Sequence, residues 1–266
     1  SRRQRQMCIR DSFRQQHRGG AAALLCGHDK GQKRALHTLC KMQARQGFGS
    51  VKISQGKRAY TGKEGVTAVE KVWVFYGKTE GLTGRAEAKG EKGRLETRAG
   101  RVLLAHALKK LYGLSVPDGE EGAAQLEKML AKGENGKPYL HGYPEIHFNI
   151  SHSGAYAVCA LAGIPVGIDI QIRQPVRGKR LLERTMNALE QEVIQNAKDP
   201  EMAFAFFWAR KESYLKWSGE GITRDLSKLS MEDAVMEEIP VEEGYVCQVC
   251  TAVPFSFEKI ELPLQL

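Results

Sequence analysis

The chain has 266 residues, 42% of them hydrophobic and 27% charged, which is enough apolar side chain for a sizeable core. No run of about eighteen apolar residues occurs, and the stretch Ala21–Cys26 is short for a secretory leader, so the sequence predicts no membrane span and a cytoplasmic protein. The net charge of +9 raises nucleic-acid binding, but residues 1–70 hold 15 of the 40 bases and only four of the 31 acids, so the excess lies entirely in that segment.

Residues 1–70 are expected as a basic N-terminal extension, poorly ordered or foreign to the native chain, able to touch nucleic acid only without specificity. Cys26, His28, His37 and Cys40 within it make no convincing zinc pattern. A first strand is predicted over 72–76, closed by Gly77. Ala99, Val102, Leu103, Ala107, Leu108 and Leu111 recur at helical spacing, so a helix is predicted over 97–112 with Gly113 as its stop. A short helix follows around 123–131.

Two strand-like runs, 145–150 and 156–162, flank Ser151-His152-Ser153-Gly154, and Gly163-Ile164-Pro165 turns the chain into a strand at 166–172. Residues 179–198 read as helix broken near Thr185, with Asn187 and Glu190 spaced as a capping box. The strongest helix is predicted over 201–217, and strands at 245–253 and 255–262 close the chain. Cys247 and Cys250 fall in the first of these strands, where positions three apart point to opposite faces, which disfavours a shared metal. This order predicts an α+β protein of two similar halves, 71–168 and 169–266.

The chemistry gathers in the second half. In a strand at 166–172, Val166, Ile168, Ile170 and Ile172 share one face, while Gly167, Asp169 and Gln171 share the other. A carboxylate and an amide two residues apart, beside a glycine, make half of a Mg²⁺ site or simply a solvated strand face. In the helix that follows, Phe204, Phe207, Trp208 and Leu215 form the buried stripe, with Glu212 at its margin flanked by Lys211 and Lys216. That trio suits a metal with phosphate oxygens beside it, although taken alone the spacing favours an ordinary i,i+4 Glu–Lys surface ion pair. Ser151-His152-Ser153 is either a phosphate-binding turn or a plain one, and Lys137 before Pro138 either an anion ligand or a loop residue.

Taken together and in order, Gly136-Lys137-Pro138, Phe148-Asn149-Ile150-Ser151-His152-Ser153, Gly167-Ile168-Asp169 and the run from Trp208 through Lys211-Glu212-Ser213 to Lys216 resemble the motif set of the Sfp-type 4′-phosphopantetheinyl transferases. The resemblance covers about residues 72–262 and includes Glu96 through Arg101, close to the pattern of siderophore-pathway members. It implies two halves forming a pseudo-dimer in one chain, sufficient as a monomer. The implied reaction moves phosphopantetheine from coenzyme A to a serine of an acyl or peptidyl carrier protein, with Mg²⁺. By the same resemblance Asp169, Gln171 and Glu212 hold the metal. Lys216, Lys211, Ser151, His152 and Lys137 serve the donor, Arg94 or Arg101 its 3′-phosphate, and Glu212 is the base. Gln171 stands where many members have glutamate, so the site carries one negative charge fewer. An inert coenzyme A or carrier-binding homologue is the alternative, and no specific nucleic acid is expected.

Overall fold

A computed structural model describes residues 69–263 apart from 85–90, 118, 134, 177 and 222–224, and no side chain of 119 or 120. The expectations for residues 1–68 lie outside the described residues. Strand β1 (Glu70–Lys78) runs into a short helix α1 (Thr79–Thr83), and helix α2 (Lys92–Tyr112) follows. Its apolar stripe ends where Gly113 turns left-handed at φ 64°, with the Gly113 and Leu114 N–H groups reaching back to Lys109 and Leu108. Next come α3 (Gly119–Met129) and a small hairpin, β2 (Leu130–Lys132) with β3 (Pro138–Leu140). Strands β4 (His147–Ser153), β5 (Tyr156–Ala162) and β6 (Gly167–Ile172) then lead to helices α4 (Lys179–Thr185), α5 (Ala188–Asn196) and α6 (Pro200–Ser218). A 3₁₀ turn at Leu226–Lys228 precedes β7 (Val235–Ile239), β8 (Tyr245–Thr251) and β9 (Phe255–Glu261).

The strands form two larger sheets, one in the order β4-β5-β1-β9 and one in the order β6-β8-β7. One face of the first packs Phe75, Phe148, Cys159 and Leu161 against Ala99, Leu103 and Leu126 of α2 and α3. Its other face sets Val72, Val74, Val158 and Ala160 against Ile168, Ile170, Cys247 and Val249 of the second sheet. Strand β9 returns to pair in parallel with β1, so the second half contributes a strand to the first sheet. The expected division at 168/169 falls inside β6. No helix among the described residues is long and apolar enough to cross a membrane.

Side chains join the sheets at their edges. The outward N–H groups of β6 at Ile168, Ile170 and Ile172 donate to Asn149 Oδ1 at 3.0 Å, Ser151 Oγ at 3.3 Å and Ser153 Oγ at 3.0 Å. Those three acceptors are alternate residues of β4, so one face of that strand satisfies an edge that would otherwise bury unpaired donors. The hydroxyls that suggested a phosphate-binding turn are therefore already engaged with backbone.

Candidate active site

Gly167 is the reason α6 comes so close to β6. A side chain there would run into the Ser213 carbonyl and the backbone of Trp217. The close approach lets Lys216 reach the strand, where its Nζ donates to Asp169 Oδ1 at 2.5 Å and to the Ile168 carbonyl at 3.2 Å. Ser151 Oγ donates to the same Oδ1 at 2.6 Å, and Gln171 Nε2 donates to Oδ2 at 2.6 Å. Asp169 is 2% exposed, and an anion so buried requires a countercharge. Lys216 provides it while its own side chain stays 25% exposed, open to a ligand. Glu212 lies one helical turn before Lys216, on the same side of α6 and half-buried.

Asp169, Gln171 and Glu212 each carry an oxygen of the hard type magnesium prefers. Among the described residues no three acid, histidine or cysteine side chains meet, so the set consists of two carboxylates and an amide. The Asp169 carboxylate and Gln171 amide already touch. Turning that amide over presents Oε1 instead of Nε2 to the same point. By donor type these side chains are compatible with the ion once the Gln171 amide is turned.

Other expected residues are placed differently. Strand alternation sends His152 to the opposite side of β4 from Ser151, where its Nδ1 lies 3.4 Å from Glu96 Oε2 of α2. Arg101 turns toward α3 and pairs with Glu127 at 2.5 Å. Arg94 is exposed near the start of α2, and no contact among the described residues joins it to Asp169. Lys137 donates to the carbonyls of Trp217 at 3.1 Å and Val166 at 3.4 Å, closing the C-terminal end of α6. Burial holds its ammonium below the usual lysine range, and burial together with that lysine lowers His147. A cavity of about 290 Å³ opens beside them, lined by Pro138, Tyr139, Phe148 and Pro165.

Lys211 corrects the sequence reading most sharply. Its side chain is 1% exposed, paired with Glu190 at 2.8 Å and donating to the Leu226 carbonyl at 2.8 Å. It joins α5, α6 and the 3₁₀ turn and faces no donor phosphate. The signal was present, because residue 211 continues the stripe of Phe204, Phe207, Trp208 and Leu215 at helical spacing. Glu96 and Glu190 were the partners missed. Glu190 had been read only as a cap, and it does accept from the Asn187 N–H at 2.8 Å while Asn187 Oδ1 accepts from Glu190 N–H at 2.9 Å. Cys247 lies in the core between the sheets, and Cys250 pairs across from Gly167 on the α6 side. Burial pushes the Cys250 thiol up to about 12.

Residues 165–258 match the sequence profile of the 4′-phosphopantetheinyl transferase superfamily. That span runs from β6 into β9 and includes Asp169, Gln171, Lys211, Glu212 and Lys216. The chain is 31% identical over 185 residues to the 4′-phosphopantetheinyl transferase psf-1 of Bacillus pumilus, covering 62% of this chain and 75% of that protein. With a 4′-phosphopantetheinyl transferase of Bacillus subtilis the identity is 33% over 185 residues, covering 62% and 78%. The human L-aminoadipate-semialdehyde dehydrogenase-phosphopantetheinyl transferase is 36% identical over 118 residues, 39% of this chain and 38% of its own length.

Proposed function

The chain belongs to the 4′-phosphopantetheinyl transferase superfamily, in its Sfp-type branch, and we propose that it transfers the 4′-phosphopantetheine arm of coenzyme A to a serine of an apo acyl or peptidyl carrier protein. The observation that carries this reading is the meeting at Asp169 of a lysine from α6, a serine from β4 and the Gln171 amide. Phosphoryl transfer needs positioning and charge neutralisation more than covalent assistance, and this cluster supplies both.

In this reading the serine oxygen bonds to the phosphorus that bears the pantetheine arm. The bond from that phosphorus to the bridging oxygen breaks, and 3′,5′-ADP departs. Lys216 spends N–H groups on Asp169 and on the Ile168 carbonyl, which aims its remaining N–H at a pyrophosphate oxygen. Glu212 receives the serine proton on its carboxylate. Asp169, Gln171 and Glu212 are the residues that would hold Mg²⁺, and the ion would supply neutralisation of negative charge on the diphosphate. Lys137 keeps the end of α6 in place beside the cavity, where it helps seat the donor. Cys159, Cys247 and Cys250 are unpaired thiols, in keeping with the reducing cytoplasm.

The test is mass spectrometry of an apo carrier protein incubated with this protein, coenzyme A and Mg²⁺. A gain of one phosphopantetheine that disappears with EDTA is the expected result. Coenzyme A binding without transfer to any of several carriers would leave an inert binding homologue. A further expectation concerns Gln171. Gln171→Glu adds a second carboxylate beside Asp169, so the Mg²⁺ concentration giving half-maximal transfer should fall by about tenfold, one unit of charge interaction. An unchanged Mg²⁺ requirement would remove Gln171 from the metal shell.

A further inference from the structure

Glu96 is 9% exposed although it is an acid, and it lies inside the interface between α2 and β4. Gly100 follows one helical turn later, and a side chain there would collide with Ile150 of β4. Residues four apart on a helix advance about 6 Å, and residues two apart on a strand about 6.6 Å. Glu96 and Gly100 therefore match His152 and Ile150 in step, and the missing side chain at Gly100 is what brings the Glu96 carboxylate within 3.4 Å of His152 Nδ1.

We propose that Glu96 is a positioning residue for phosphopantetheine transfer, acting through His152; the inference rests on the transferase reading of the site. The carboxylate engages Nδ1, orients the ring and favours its doubly protonated form, so that Nε2–H is directed to a phosphate oxygen of coenzyme A. The same arrangement of an acid behind a histidine orients ligands in metal sites. The charged surroundings support it. Lys92 is 4.0 Å from the other Glu96 oxygen, with its side chain 72% exposed, and so competes weakly for the carboxylate. Beside His152, the β4 neighbours Ser151 and Ser153 and its β5 partner Ala157 carry no charge.

Calorimetric titration with coenzyme A, without carrier protein, tests this in four proteins: wild type, Glu96→Gln, His152→Ala and the double variant. Glu96→Gln should weaken coenzyme A about threefold to tenfold, and Glu96→Asp, which keeps the charge, should recover most of that loss. In the His152→Ala background the glutamine change should cost less than about twofold, since the residue through which it acts is gone. In parallel, ¹⁵N spectra of the His152 ring at pH 7 should move from the doubly protonated pattern toward the neutral one in Glu96→Gln, at an unchanged thermal midpoint. An equal loss of affinity in both backgrounds, or an unmoved ring spectrum, would overturn the proposal. Wild type that binds coenzyme A but transfers nothing would sink the transferase reading alone. If wild type bound no coenzyme A, the ring spectrum would decide the Glu96 proposal by itself.

Discussion

Lys211→Met should lower the free energy of unfolding by about 3–5 kcal/mol, the cost of leaving one member of a buried ion pair without the other. Glu190 keeps its carboxylate inside the protein at 6% side-chain exposure. Without Lys211 its donor among the described contacts is the Asn187 N–H. The Leu226 carbonyl also loses its lysine donor. Adding Glu190→Gln should recover much of the loss, because the amide oxygen still caps α5 while the uncompensated charge is gone. Urea unfolding of the two variants measures both effects. A single variant within about 1 kcal/mol of wild type would refute the buried-pair account. Coenzyme A affinity separates this role from the one read in the sequence. A lysine that held donor phosphates would lose binding at unchanged stability, whereas Lys211 should lose stability first.

That contrast marks where the sequence was legible. The helix over α6 stood out because its stripe is long, Asp199 caps it by accepting from Met202 N–H, and Gly219 ends it in a left-handed turn. The strand pattern of β6 set Asp169 and Gln171 on one face, as the structure has them. Strand β7 was missed because Val235-Met-Glu-Glu-Ile239 lies at a sheet edge, half-exposed, and adjacent glutamates break its alternation. The start of α2 was placed five residues late because Glu91 provides no side-chain cap and Gly93 weakens the first turn. The pairing of β9 with β1 joins Glu70 to Phe255, and no local periodicity encodes a contact at that separation. At the site, each residue's chemical type was readable, but its direction was not. Arg101 and Lys211 were read as cations for the donor's phosphates, and both face acids that only the packed helices bring near.

Asp169→Asn should reduce phosphopantetheine transfer by roughly a hundredfold to a thousandfold or more, the scale of removing one preorganised electrostatic contact from a site that works by charge placement. Asparagine matches aspartate in shape, so the effect isolates charge. The amide would put N–H donors against the Lys216 ammonium or the Gln171 Nε2, and Lys216 would lose its ion pair on β6. Folding should suffer much less, because a neutral side chain at a 2% exposed position no longer bears the cost of burying an anion. Lys216→Met should behave differently. It leaves Asp169 charged and buried with only Ser151 and Gln171 as side-chain donors, so activity and stability should fall together. The two variants thus distinguish an electrostatic site from a merely structural ion pair. Time courses of carrier modification paired with urea midpoints read the difference. If Asp169→Asn kept more than a tenth of wild-type transfer, the Asp169–Lys216 pair would be part of the scaffold, and the reaction would have to be sought elsewhere on the chain.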